Sequence, residues 1–129
     1  MTSTIRVDNF GPSAGGTTYS ARGIAKAWVN FNGTGTIAAR DSENVSSLTD
    51  NGTGEYTVNF SNSFSNTNYL LLGTCLLNNN TDGRGFVCSP TSAGGFTPAV
   101  GSSKIGTVQA GVGSLDFGFV SVSIHGDLA

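Results

Sequence analysis

Apolar and polar side chains alternate along most of this chain, and the alternating runs are cut repeatedly by Gly, Asn, Asp and Ser. A period of two marks a half-buried β-strand, because successive side chains leave opposite faces. In residues 55–60, Tyr56, Val58 and Phe60 take one face and Glu55, Thr57 and Asn59 the other. Val120, Val122 and Ile124 alternate in the same way with Ser121, Ser123 and His125. Ala27, Val29 and Phe31 share one face of a third run. No window repeats apolar residues at i, i+3, i+4 and i+7 over three turns, so helix is not the organising element.

The interruptions carry turn chemistry. Asn32-Gly33 and residues 50–54 (DNGTG) are hairpin signals. Gly supplies 19 of 129 residues, about twice the usual ~7%, as a chain with many turns requires. Further short strands are expected over residues 36–40, 43–49, 85–89 and 104–110, with a long final strand over 115–125. Residues 69–77 are apolar on both faces, which predicts a central strand covered on both sides. So many short strands joined by turns predict an all-β fold, an antiparallel β-sandwich or jelly-roll-like domain.

Residues 4–8 (TIRVD) alternate ahead of a Gly/Ser/Thr-rich stretch, residues 11–20, that reads as a linker. The chain therefore divides into an extended N-terminal arm with its linker, residues 1–21, and a sandwich, residues 22–129. The predicted core of the sandwich is Trp28, Val29, Phe31, Tyr56, Val58 and Phe60. Charged residues make up only 11%, against a usual ~25%. Exposed sheet edges are normally blunted by charge. A chain with so little of it is expected to cover its edges with a sister chain.

Charge and motifs exclude several functions. The six basic residues are scattered and the net charge is −2, so no basic stripe exists for nucleic acid. The apolar run 69–72 is far short of the ~20 residues a spanning helix needs. Residues 1–10 lack the apolar core of a signal peptide, which predicts synthesis and assembly in a cytoplasm. His125 sits on the polar face of the last strand, with no nucleophile and acid beside it in sequence. Asp50 begins a segment resembling a calcium loop, but the twelfth position is Ser61 rather than Glu. Asp41, Glu43, Asp50 and Glu55 are the carboxylates available for glycoside cleavage, and they read as turn and surface acids. Cys75 and Cys88 do not have zinc spacing. A hairpin centred near Thr81 and Asp82 would set them opposite each other, close enough for a disulfide, whereas a reducing cytoplasm favours thiols. No metal, no cofactor and no catalytic residue is expected.

The run AKAWVNFNGTGTIAARDSENVSSLTDNGTGEYTVNF, residues 25–60, resembles a domain that recurs in phage virion proteins, notably tail-fibre-like proteins. The likeness lies in Ala27-Trp28-Val29-Asn30-Phe31, in Arg40-Asp41-Ser42, in Asn44-Val45-Ser46-Ser47 and in residues 49–60 (TDNGTGEYTVNF). Asn68-Tyr69 and the closing residues 122–127 (VSIHGD) are similar as well. The resemblance covers the chain from about Arg22 onward. It implies a homotrimeric β-domain exposed on a virion. On that basis the arm, through Ile5, Val7 and Phe10, would attach to another virion protein of tail or capsid. Loops over residues 62–68 and 78–83 would face the host and meet a surface glycan. Two alternatives remain: a capsid decoration, cement or head-fibre protein, and a small glycan depolymerase acting through Asp41 or Glu55.

Overall fold

The computed structural model describes residues 9–10, 19–20, 23–76, 85–88 and 98–129. Two short strands, β1 (Asn9–Phe10) and β2 (Tyr19–Ser20), form an antiparallel pair. The pair lies partly within the stretch expected to be a linker, so residues 19–20 are strand there instead. Ile5 and Val7 of the arm lie outside the described residues.

From Ala27 onward the chain makes β3 (Ala27–Asn32), β4 (Ala38–Glu43), β5 (Val45–Gly52), β6 (Glu55–Phe60) and β7 (Leu70–Leu76). Then follow β8 (Gly85–Cys88), β9 (Ser102–Gln109), β10 (Gly113–Ser114) and β11 (Phe119–His125). The strands form a β-sandwich of two packed antiparallel four-stranded sheets. The first sheet has the order β4-β3-β11-β7 and the second β8-β9-β6-β5, with β10 added beside β9. One ladder pair, Thr74 with Phe86, joins β7 to β8, so the ladders continue from sheet to sheet on that side.

The core follows from the alternation. Ala27, Val29 and Phe31 of β3, Val120, Val122 and Ile124 of β11, and Cys75 of β7 point inward from the first sheet. Tyr56, Val58 and Phe60 of β6 and Ile105 of β9 meet them from the second. Phe31 and Tyr56 touch edge to face with ring centroids 5.1 Å apart, a favourable geometry for aromatic quadrupoles. Trp28 corrects the predicted core. It is half-buried and belongs to the opposite side of β3, where a period of two must put it once Val29 faces in.

Several boundaries also move. The Asn32-Gly33 signal does not make a two-residue hairpin, because β4 starts only at Ala38. Residues 43–49 are not one strand. Asn44 adopts φ 54° and separates β4 from β5. Asn tolerates this left-handed backbone better than most residues. Its side-chain oxygen accepts from the Asn62 backbone N–H at 2.7 Å, and its amide donates to Asn62 O at 3.1 Å. At this corner the chain leaves the outer strand of one sheet and becomes the outer strand of the other. Residues 115–118 are not strand; β11 begins at Phe119. The β7–β8 register opposes residue 74 to residue 86, so Cys75 and Cys88 are not directly opposite.

Strand directions define two poles. The near pole holds Gly23, Lys26, residues 61–69 and the last residues of the chain. There Lys26 N donates to Ile124 O at 2.9 Å and Ser65 N to Asp127 O at 2.8 Å. The far pole holds residues 33–37, 52–54 and 110–118, tied by Gly33 N to Phe117 O and Thr107 N to Gly54 O at 2.9 and 2.7 Å.

Candidate binding face

The outer faces of the two sheets carry different chemistry. On the second sheet, the outward residues of β5 and β6 form a hydroxyl and amide ladder. The Asn59 amide donates to Ser47 Oγ and to Thr49 Oγ1, both at 3.1 Å. The Asn51 amide donates to Thr57 Oγ1 at 2.9 Å. Lys104 and Thr57 are cross-strand partners on the same surface.

On the first sheet, register places Leu70, Leu72, Thr74 and Leu76 of β7 beside His125, Ser123, Ser121 and Phe119 of β11. The adjacent β3 contributes Asn30 opposite Ser121 and Trp28 opposite Ser123. Leu70, Leu72, Phe119 and Leu76 are 55, 53, 45 and 40% exposed. These are four of the eight large apolar side chains that lie exposed among the described residues. Scattered exposed leucines need no explanation, but a contiguous row does. The expectation that β7 is covered on both sides therefore holds only inward. Its inner side packs on the core, and its outer side is open.

Between Trp28 and Leu72 runs a shallow open groove of about 670 Å³, floored by Asn30, Thr74, Ser121 and Ser123. The Asn30 amide donates to Ser121 Oγ at 2.7 Å. The Arg40 guanidinium donates to Gly118 O at 2.6 Å and lies 4.2 Å from the Phe119 ring centroid. That stacking holds the cation against the aromatic face. His125 Nδ1 lies 3.1 Å from Gly23 O, and Nε2 2.9 Å from Ser123 Oγ. A carbonyl only accepts, so Nδ1 carries the hydrogen that it donates to Gly23 O, and Nε2 accepts a hydrogen bond from the Ser123 hydroxyl.

The carboxylates considered for glycoside cleavage are not brought together. Asp41 lies on the outer side of β4 and Glu55 on the outer side of β6, on opposite surfaces of the sandwich. Asp41 Oδ1 accepts from Ser42 N and Asp50 Oδ1 from Gly52 N, both at 2.9 Å, as turn and edge acids do. Among the described residues, no three His, Cys, Asp or Glu side chains gather closely enough to hold a metal ion. No helix among them is long and apolar enough to cross a membrane.

The loop over residues 62–68, expected to face outward from the arm, belongs to the near pole where the chain enters the sandwich. The loop over residues 78–83 lies outside the described residues. The far pole instead presents residues 33–37, 52–54 and 110–118. It is pinned by a polar node. The Tyr56 hydroxyl lies 2.9 Å from Gly33 O and 2.8 Å from Asp116 Oδ1 and shares its one proton between them. Asp116 Oδ1 also accepts from Gly54 N at 2.6 Å. Burial, reinforced by the neighbouring Asp116 carboxylate, pushes the Tyr56 phenol well above the ordinary tyrosine value.

The alternation that locates the core also puts Trp28 and the β7 leucines on the outside, but composition alone does not reveal that they form one surface. The cross-strand register supplies that fact. Comparison with protein-family models, with curated proteins and with solved structures finds no match for this chain.

Proposed function

We propose that this chain is a structural, non-enzymatic domain of a bacteriophage virion, a trimeric tail-fibre-like or spike domain held by its N-terminal arm. The observation that carries the reading is the contrast between the outer faces. One is a polar ladder fit for water, and the other is a row of exposed leucines with Phe119. Large apolar side chains exposed in one row, interrupted by Thr74, fit a protein that works in an assembly. The motifs of residues 25–60, which resemble those of phage virion proteins, supply the kind of assembly.

The two poles suit display. The arm meets the sandwich at the near pole, beside Gly23 and His125. Among the described residues, 33–37, 52–54 and 110–118 lie at the other end, where they would meet a host surface, a glycan among its components. Ile5, Val7 and Phe10 give the arm apolar side chains for attachment to a neighbouring virion protein.

Light scattering of the full chain tests the assembly. Three times the 13.1 kDa chain mass is expected, and a single chain mass at every concentration overturns the trimer. Labelling of intact particles with an antibody against this chain tests the location. Label is expected on the tail; label spread over the head in hundreds of copies favours a capsid decoration protein instead.

A further inference from the structure

We infer that the outer side of β7 is the seam between copies of this chain, with Leu70, Leu72 and Leu76 packed along a common axis and Trp28 at its rim. This inference rests on the reading that the chain self-associates, and it assigns that association to one surface.

Three features of the surface point to a second copy as its occupant. The first is shape. Leu70, Leu72 and Leu76 stand on one side of one strand, so the row is straight. At ~3.3 Å per residue it runs for roughly 20 Å. A straight row matches an identical row turned about an axis parallel to it, and rotation of this kind closes a ring of identical subunits. The second feature is charge. The row contains no carboxylate and no ammonium group. Arg40, on the same outer face, is stacked on Phe119 and bonded to Gly118 O and Asn30 Oδ1 of its own chain. Identical rows of this composition meet without like-charge repulsion, and the charges of this outer face, Arg40, Asp41 and Glu43, lie on β4, separated from the row by β3 and β11.

The third feature is relief. The groove between Trp28 and Leu72 lies beside the row, so each copy offers both a ridge and a hollow. A leucine of one copy seated in the hollow of the next is covered by an indole and an isobutyl group, as interface cores require. The outer edge of the first sheet is less suitable. β4 is the outer strand of its sheet and carries Arg40, Asp41 and Glu43, three charges in six residues. Charge at that density discourages pairing of one edge with another.

The chain contains a single tryptophan, so its fluorescence reports on this surface alone. The experiment uses the full chain, with light scattering and tryptophan emission measured across a dilution series. The wild-type chain is expected to be assembled, with emission that shifts to the red as dilution separates the copies. Leu72→Glu introduces one carboxylate per copy at the seam. It is expected to raise the concentration of half-assembly by about a hundredfold or more, because an unpaired buried charge is strongly disfavoured. Its circular dichroism should remain that of a β protein, since Leu72 is 53% exposed in the single chain.

Leu76→Thr is the milder variant and should raise the half-assembly concentration about tenfold, keeping the test decisive if Leu72→Glu does not fold. Thr57→Glu, on the opposite surface, should leave assembly unchanged. If the wild type assembles and both leucine variants remain assembled, the seam lies elsewhere while self-association stands. A wild type that is monomeric throughout overturns both readings. Emission that is insensitive to dilution but shifts on addition of a neutral glucan oligosaccharide makes the groove a ligand site and overturns the seam.

Discussion

At the near pole, Phe60, Phe64 and Tyr69 meet ring against ring, with centroids 4.9 to 6.1 Å apart. At the far pole, the Tyr56 hydroxyl, the Asp116 carboxylate and the backbone of Gly33 and Gly54 meet atom to atom. Both arrangements close the open end of a sandwich. The aromatic closure is apolar and tolerant of small displacements. The polar closure ties Gly54 N to the Asp116 carboxylate and Gly33 O to it through the Tyr56 hydroxyl, and depends on hydrogen-bond geometry. One pole therefore resists loss of contact area poorly and the other resists loss of geometry poorly.

The largest expected effect sharpens the first half of that comparison. Phe64 is buried and packs against both other rings. Phe64→Ala should cost about 3–5 kcal/mol, as large-to-small changes of buried phenylalanine do. Urea unfolding at pH 7 and again at pH 10 should give the same loss, since no titrating group is removed. A loss under about 1 kcal/mol would mean that the rings do not close the pole.

The second test sets one glycine from each pole against the other. Gly54 has φ +68°, and a Cβ there would meet Thr107 O at 2.6 Å and Leu115 N at 2.7 Å, both backbone atoms. A Cβ on Gly126 would meet Tyr69 Cβ at 2.9 Å and the Phe64 ring at 3.0 Å, which are side-chain atoms. Gly54→Ala should therefore cost about 2–4 kcal/mol through strain and lost geometry. Gly126→Ala should cost less, about 1–2 kcal/mol, because its backbone is outside the left-handed region and the crowded atoms belong to side chains. Equal losses in thermal unfolding would erase the distinction between the poles.

The third effect is specific to the far pole. Tyr56→Phe removes the proton shared by Gly33 O and Asp116, at a cost of about 1.5–3 kcal/mol for a bond to a charged group. It also carries a pH signature. In the folded chain the Tyr56 phenol holds its proton above the ordinary value of 10.0. Above that pH the unfolded chain binds fewer protons than the folded one, so stability must fall as pH rises. The contribution is complete below about pH 10 and is lost at higher pH. Wild-type unfolding free energies should be level to about pH 10 and then decline, and the Tyr56→Phe chain should lack that component of the decline.

Much of the fold is legible in the order of the amino acids. The alternation in residues 55–60 and 119–125 locates the inward residues of β6 and β11 correctly, because a period of two has only one physical meaning on a sheet. The same rule, applied strictly, puts Trp28 outside; its size and apolar character point to the core and mislead. Asn44 is illegible as a corner. Its left-handed backbone is imposed by the turn from one sheet to the other and by the Asn62 contacts, eighteen residues away. The polar node is illegible for the same reason, since Tyr56 and Asp116 are sixty residues apart. The apolar row on β7 is visible as a run of leucines, but which side of that run the core occupies depends on register with β11.

The strands of the sandwich run from the pole that holds Gly23 to the pole that carries the loops 33–37, 52–54 and 110–118. Ladder hydrogen bonds lie across the strands. A pull applied between Gly23 and those loops therefore acts along the strands and loads many rungs of a ladder in parallel, in shear. Peeling, in which rungs fail one after another, would need a force applied sideways at a strand end. A domain tethered at one end and gripped at the other meets traction in its more resistant direction.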